Sequence, residues 1–193
     1  MQAFIYDAHL ELKPMNITYT RLPKSGDLPL QGAWLLVQGG EEHLKRRLVE
    51  RLREQLLGEG DEFNFEQVDV NERWEGVAES NEQAQRDRLP TRADKILVMA
   101  QALPFLGSGR LLIVRNIELL SNEQQKKLAA RIDSVPPMNH LLLVTGESVA
   151  GKKPAKLAAD LVKGIEKQGT IFECAALTEN DAADWVRETL HEW

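Results

Sequence analysis

The stretch LPFLGSGRLLIVRN, residues 103–116, is the part of the chain that decides the fold. Residues 111–114 form a continuous apolar run between two arginines, which is typical of a strand buried on both faces of a sheet. The cluster of glycine and serine at 107–109 favours a turn just before this strand. We therefore predict that the pair Phe105-Leu106 lies at the joint between a helix and a central strand, where a rigid strand end can present a loop in a fixed pose.

The segments on either side of this stretch alternate between strand-like and helix-like apolar patterns. Such alternation predicts an α/β fold with a mostly parallel sheet of about five strands flanked by helices. The second strand alternates only partly, so we expect it near the sheet edge. The predicted strands are 33–38, 63–70, 111–114, 140–145 and 170–174, and the predicted helices are 41–57, 93–103, 121–132, 154–167 and a last one from 178 onwards.

Proline and polar segments divide this pattern. Residues 1–29 are interrupted by three prolines and predict an extended lead-in, followed by the α/β domain at 30–177. Residues 71–91 are highly polar and predict a long surface loop or a loosely held helix. Ser121 and Gln124 fit the S-x-x-Q form of a capping box at the start of a helix.

The composition is that of an ordinary globular protein, with 42% hydrophobic and 28% charged residues. The net charge of -6 argues against a protein that grips nucleic acid by itself, because phosphate binding needs clustered lysine and arginine. We expect any contact with DNA to be indirect. The single cysteine, Cys174, allows no intrachain disulfide, and no stretch approaches the roughly 20 apolar residues of a membrane span. A cytoplasmic protein without membrane contact is the expectation.

The first predicted helix has leucine at every fourth position from Leu44 to Leu56, which indicates an amphipathic helix. We interpret its charged residues as a solvated face. These residues are Lys45, Arg46, Arg47, Glu50, Arg51, Arg53 and Glu54.

The turn before this helix is where an α/β nucleotide-binding fold would hold a phosphate. It contains Gly39 and Gly40 followed by Glu41 and Glu42, without a lysine or hydroxyl in the required place, and the two carboxylates would repel a phosphate. The buried strand ends at the neutral Asn116 instead of an acid that binds a metal. The sequence therefore predicts a purely structural helix start, with no cofactor and no metal ion.

A competing motif is GESVAGKK at 146–153, which matches G-x-x-x-x-G-K but has Lys153 where serine or threonine belongs. It leaves a second hypothesis open, a small P-loop-like ATPase or phosphotransferase that uses Gly151, Lys152 and Lys153. Other catalytic constellations are absent from the sequence. The four histidines lie far apart, and Cys174 in an apolar strand is interpreted as a small core side chain.

The order and spacing of these features resemble the N-terminal domain of the delta subunit of bacterial DNA polymerase III, the clamp-loader subunit that binds and opens the sliding clamp. The resemblance extends over about residues 30–190. The matching features are the turn at 40–42, the segment FNFE at 63–66, LPFLG at 103–107 running into the strand at 110–116, and Trp185.

The resemblance implies an AAA+-like α/β domain that has lost its ATP site. In this family a hydrophobic pair at the tip of a helix plugs an apolar pocket on the clamp and pries one ring interface open. The pair matches Phe105 and Leu106, with Leu106 standing where many relatives have a second phenylalanine. The implied clamp-binding residues are Leu103, Pro104, Phe105, Leu106 and Gly107.

The resemblance also implies partners. They are the sliding clamp, which is the beta subunit, and, if lid and collar domains are present, the gamma/tau and delta prime subunits of the loader. Other subunits supply ATP hydrolysis within the DNA polymerase holoenzyme. The family continues into a helical lid and a collar domain, so residues 178–193 are expected to begin the lid. The residues alone also allow the simpler interpretation that Phe105 and Leu106 seal the end of the core. A measurement of nucleotide binding would separate the clamp-binding hypothesis, which predicts none, from the ATPase hypothesis, which requires it.

Overall fold

The computed structural model describes residues 15–57, 62–105, 109–146 and 156–176, in which the chain forms six strands and five α-helices. The strands are β1 (Met15–Thr18), β2 (Trp34–Gln38), β3 (Phe65–Asp69), β4 (Arg110–Arg115), β5 (Asn139–Val144) and β6 (Thr170–Glu173). The helices are α1 (Glu42–Leu57), α2 (Asn81–Asp87), α3 (Arg92–Gln101), α4 (Asn122–Ala129) and α5 (Ala159–Gln168). The predicted helix from 178 onwards, with Trp185, lies outside the described residues.

All six strands pair in parallel, in the order β1-β6-β2-β5-β4-β3. The predicted α/β class and parallel sheet are confirmed, and β3 lies at an edge as its partial alternation indicated. The prediction of about five strands missed β1. This strand precedes the expected domain boundary at residue 30 and pairs with β6. A four-residue strand at an edge takes its register from its neighbour, so its own sequence pattern is weak.

The central strands are buried on both faces, and alternate side chains enter two separate cores. Leu35 and Ile113 pack with the leucines of α1 on one face. Leu36 and Leu112 pack with α3, α4 and α5 on the other. This alternation explains why residues 111–114 are apolar without a break, as expected for a strand covered by helices on each side.

Helix boundaries differ from the predictions in three places. The helix predicted at 93–103 ends at Gln101, and the one predicted at 154–167 begins only at Ala159. The helix predicted at 121–132 ends at Ala129, and a 3-10 turn follows at Ile132–Ser134. The polar segment at 71–91 contains the short helix α2, whose N-cap is Ser80.

Because the strands are parallel, all of them begin at one end of the sheet and finish at the opposite end. We call these two ends the N-terminal edge and the C-terminal edge, as distinct from the edge strands β1 and β3. Helix α3 ends at the N-terminal edge, where Asn139 Nδ2 donates hydrogen bonds to Ala100 O at 2.8 Å and Ala102 O at 2.9 Å. Asn139 is the first residue of β5 and is buried. The residues after α3 therefore emerge beside the starts of the central strands.

Candidate protein-binding site

Helix α3, which leads to the predicted site, is fixed at its beginning by a reciprocal capping box. Asp94 N donates to Thr91 Oγ1 at 3.3 Å, and Thr91 N donates to Asp94 Oδ2 at 3.0 Å. Lys127 of α4 forms an ion pair of 2.5 Å with Asp94. Burial favours a higher pKa for the Asp94 carboxyl, but hydrogen bonds from Lys127 and Thr91 outweigh it and hold the pKa below its usual range. Together with Asn139, this box holds both ends of the helix.

The N-terminal edge of the sheet carries a cluster of exposed apolar side chains, which we call the apolar edge. Leu103 and Phe63 are each 78% exposed, and Phe105 is 62% exposed. The rings of Phe63 and Phe105 contact each other at a tilt of 55°, with centroids 6.0 Å apart. Met138, just before β5, is also exposed at this edge. An apolar group of this kind on the surface of a charged protein is typical of a contact with another protein.

The main chain of Phe105 is held by a buried amide. Asn64 Nδ2 donates to Phe105 O at 2.9 Å, and Phe105 N donates to Asn64 Oδ1 at 2.5 Å. Asn64 is fully buried and ends the 3-10 turn Glu62–Asn64, directly before β3. Phe105 therefore combines an exposed ring with a main chain tied to the sheet.

Two arginines beside the apolar edge contact residues of β3. Arg110 Nη2, at the start of β4, lies 2.5 Å from Glu66 Oε2. The guanidinium of Arg53 lies 4.0 Å from the centre of the Phe65 ring. The ion pair neutralises charge locally, and the Arg53 contact is a cation–π interaction.

Three of the five residues that the resemblance implied for clamp binding are described. Leu103 and Phe105 are exposed, and Pro104 between them is half-buried. Leu106 and Gly107 lie outside the described residues.

Sequence reasoning assigned no role to Phe63 and Asn64, although the segment that contains them was part of the resemblance. Asn64 and Phe105 are 41 residues apart in the chain, so no periodic pattern links them. In the sequence alone, the place of the segment FNFE in the resemblance was the available signal.

The opposite, C-terminal edge of the sheet contains an open cavity of about 420 Å³. Its lining includes the carboxylates of Glu42, Asp69 and Glu118, together with the guanidinium of Arg115. Asn116, in the left-handed conformation at φ 57°, donates to Asp69 Oδ1 at 2.7 Å. This edge is where an α/β nucleotide-binding fold holds its ligand, and here carboxylates dominate it.

A lysine that bonds to the cavity lining is engaged inside the protein. Lys45 Nζ donates to Thr145 O at 2.8 Å and Gly146 O at 2.7 Å, and it pairs with Glu42 at 2.9 Å. The side chain is 1% exposed, so the prediction that Lys45 lies on the solvated face of α1 was wrong. It stands next to Leu44 on the buried side of the helix, and its long stem carries the ammonium to carbonyl oxygens at the end of β5.

The glycine that opens the competing phosphate motif is also engaged. Gly146 N donates to both carboxylate oxygens of Glu118, at 3.1 and 3.0 Å. A Cβ at Gly146 would lie 2.2 Å from Asn116 Oδ1, so the backbone here is in close contact with these side chains. The rest of the motif, with Gly151, Lys152 and Lys153, lies outside the described residues.

Two titratable groups have shifted pKa values because of burial. Burial raises the pKa of the Cys174 thiol to about 12, which suits a core side chain better than a nucleophile. Burial lowers the pKa of His140, on β5. Among residues 15–57, 62–105, 109–146 and 156–176, no group of three or more histidine, cysteine, aspartate or glutamate side chains is placed to hold a metal ion. Nor does any helix in these ranges have the length and apolar character needed to cross a membrane.

Fold and site together define a parallel α/β domain with exposed apolar side chains at the N-terminal edge of its sheet. The sequence model of the family described as DNA polymerase III, delta subunit, matches residues 78–175, which is just over half of the chain. The chain therefore belongs to this family. Membership places the chain in a family of DNA polymerase III subunits, and the α/β class expected from the sequence is observed in the all-parallel sheet.

Among solved structures, the chain is similar to a DNA polymerase III gamma subunit-related protein from Thermotoga maritima. The two are 14% identical in sequence, with a TM-score of 0.45, over 82% of this chain and 45% of that protein. The chain thus spans less than half the length of that protein. No curated protein matches the chain.

Proposed function

We propose that this chain binds the sliding clamp of the replication machinery through Leu103, Pro104, Phe105, Leu106 and Gly107, and opens the ring without hydrolysing ATP itself. The observation that carries the proposal is the state of Phe105, whose ring is exposed while its main chain is tied to Asn64. A core-sealing residue would have a buried ring. A side chain that is exposed and yet fixed in place suits insertion into an apolar pocket of a partner.

Burial of Phe105 and Leu106 would contribute enough free energy for a strong contact. Burying a side chain such as phenylalanine or leucine against a partner contributes about 1.5 to 3 kcal/mol. For Phe105 and Leu106 together, about 4 kcal/mol corresponds to roughly a thousandfold in affinity. The pair can therefore supply a large share of the affinity for the clamp.

The way α3 is anchored supports mechanical action as well as binding. The capping box at Thr91 and the amide of Asn139 hold the two ends of the helix. Force on the residues that follow is therefore transmitted to the sheet. A wedge that opens a ring interface needs such a rigid base, because a flexible one would bend before the interface separates.

The proposal includes the division of labour implied by the resemblance. Residues 30–177 act as the AAA+-like clamp-binding domain, and residues 178–193 begin a helical lid that leads to a collar. If lid and collar domains are present, the gamma/tau and delta prime subunits join the complex through them and supply ATP hydrolysis, while DNA is contacted only indirectly.

The test is binding of this chain to the sliding clamp of its own organism in the absence of nucleotide. We expect the wild type to bind and Phe105→Ala/Leu106→Ala to lose binding by about a thousandfold. Because the Phe105 ring is mostly exposed, we expect this variant to melt close to the wild type. Leu119→Ala is the matched control, since Leu119 is half exposed beside the cavity at the opposite edge of the sheet and should bind normally.

Three results would contradict the proposal. The first is a wild type that does not bind, and the second is a double variant that binds as well as the wild type. The third is a double variant that unfolds, which would mean that the pair seals the core.

A further inference from the structure

We propose that Asn64 is the residue that positions Phe105 for its partner, an inference that rests on the proposed clamp-binding function. Its side chain is neither exposed nor near enough to the surface to meet a partner itself. It would act through the main chain of Phe105, and its contribution would be to fix the exposed ring in the binding pose before the partner arrives.

The side-chain amide of Asn64 makes two hydrogen bonds to the main chain of Phe105, and we call this pair of bonds the clasp. One amide both accepts from Phe105 N–H at 2.5 Å and donates to Phe105 O at 2.9 Å. In a sheet, a neighbouring strand bonds the main-chain N–H and C=O of a residue in a similar way. Phe105 lies outside every strand of the sheet, and the amide of Asn64 takes that role. The short asparagine side chain offers one donor and one acceptor at a spacing that matches both main-chain groups.

The clasp links the site to the sheet. Asn64 immediately precedes β3, which pairs with β4 from Phe65 opposite Leu111 onwards. Asn139 holds Ala102 on the helix side. Phe105 is thus tied to the start of β3 in the interval between the end of α3 and the start of β4.

Phe63, the neighbour of Asn64, adds a second contact to the same residue. Its ring packs at a tilt against the Phe105 ring, with centroids 6.0 Å apart. The turn Glu62–Asn64 therefore contacts Phe105 at both its main chain and its ring. Asn64 is the better residue to test, because Phe63 is exposed and could itself touch the partner.

Fixing the main chain in advance increases affinity, because a residue that is disordered in the free protein must be ordered on binding. The cost of ordering one residue corresponds to about tenfold in affinity. We therefore expect Asn64→Ala to weaken clamp binding by about tenfold or more. The same substitution in a Phe105→Ala background should cause no further loss, because there is no ring left to position.

The experiment compares wild type, Asn64→Ala, Phe105→Ala and the double variant in two measurements on the intact chain. The first is the dissociation constant for the sliding clamp. The second is amide hydrogen exchange of Phe105 in the free protein, which we expect to become at least tenfold faster in Asn64→Ala while the amides of β4 remain protected. Asn64→Asp keeps the volume and the acceptor for Phe105 N–H but places a carboxylate oxygen against Phe105 O, so exchange of Phe105 should change less than in Asn64→Ala while clamp affinity still falls.

The chain offers a matched control in Gln55. Its side-chain amide makes the same kind of clasp on another segment, accepting from Leu28 N at 2.7 Å and donating to Leu28 O at 3.0 Å. Gln55→Ala should therefore lose a comparable pair of hydrogen bonds with no change in clamp affinity and no change in Phe105 exchange.

The outcomes separate this inference from the proposed function. If the wild type does not bind the clamp, the proposed function fails, and hydrogen exchange still decides whether Asn64 holds Phe105. Unchanged exchange of Phe105 in a folded Asn64→Ala, or unchanged clamp affinity in a folded Asn64→Asp, overturns the inference. So does an affinity loss that is equally large with and without the Phe105 ring, because Asn64 would then act on binding by another route.

Discussion

At the scale of single residues, Cys174 links burial to the pH dependence of stability. Burial raises the pKa of its thiol from 9.0 to about 12. Above pH 9 the unfolded chain loses the thiol proton while the native chain keeps it, so the unfolded state binds fewer protons. This stabilisation is complete below pH 9 and declines as the pH rises towards 12. We predict a loss of unfolding free energy with a slope of up to about 1.4 kcal/mol per pH unit in that range.

The measurement is urea unfolding between pH 8 and 10.5 for the wild type and for Cys174→Ala. Removing the buried side chain shifts the whole curve of the variant, so the difference in slope is the informative quantity. Other groups that titrate in this range are common to both proteins and cancel. Parallel curves would show that the thiol titrates alike in the folded and unfolded states.

Lys45 shows where residue patterns fail. The four-residue spacing of leucine from Leu44 to Leu56 predicted the buried face of α1, but a lysine beside that face was assigned to solvent because lysine is rarely buried. Its burial depends on the carbonyl oxygens of Thr145 and Gly146, a hundred residues away. Spacing along one helix contains no information about acceptors that another element supplies.

At the scale of elements, the stability of α3 depends on its capping box. Thr91 is buried and its hydroxyl accepts from Asp94 N. We predict that Thr91→Ala lowers the free energy of unfolding by about 0.5 to 2 kcal/mol, because it leaves helix donors without a partner. Thr91→Ser keeps the hydroxyl and should cost clearly less. Urea unfolding of the two variants checks this, and equal losses would mean that the methyl group matters and the cap does not.

The capping box predicted from the sequence and the one observed in the structure are at different helices, for a physical reason. The sequence predicted an S-x-x-Q box at Ser121, and the side chain of Ser121 does accept from Gln124 N at 3.3 Å. The Gln124 side chain, however, accepts from Ala93 N of α3. The reciprocal box forms at Thr91 and Asp94. Tertiary packing thus assigned the glutamine to a neighbouring helix, which a local motif cannot anticipate.

The central strands were more predictable than the contacts that support Phe105. Buried parallel strands have continuous apolar runs, so they follow from local sequence. Residues 106–108 of the predicted turn lie outside the described residues. The edge strand β1 and the clasp of Asn64 on Phe105 are contacts between distant segments. They follow only once the sheet order is known.

At the scale of the whole molecule, the two edges of the sheet differ in chemistry. The N-terminal edge presents exposed aromatic and aliphatic side chains on a firmly held base. The C-terminal edge, where this class of fold binds nucleotides, contains three carboxylates and a lysine that is used internally. A domain arranged in this way is suited to binding a protein at one edge while the opposite edge is stabilised by its own side chains.

This arrangement predicts that nucleotide does not stabilise the intact chain. A ligand at a hundred times its dissociation constant contributes about 2.7 kcal/mol. For a chain of this length that would raise the melting temperature by several degrees. With Lys45 bonded to carbonyl oxygens and Glu118 bonded to Gly146 N, a triphosphate would meet carboxylates at this edge. We expect millimolar ATP with Mg²⁺ to change the melting temperature by less than about one degree.

The same measurement tests the competing hypothesis of a phosphate site at residues 151–153. If ATP raises the melting temperature by several degrees and Lys152→Ala removes this rise, the motif binds phosphate. The ATPase hypothesis would then replace clamp binding as the proposed function. A rise that Lys152→Ala leaves intact would instead place the nucleotide elsewhere and contradict the assignment of Lys45 and Glu118 as internal contacts. Absence of any rise, with the clamp still bound, is the result that a clamp-binding domain without its own nucleotide site requires.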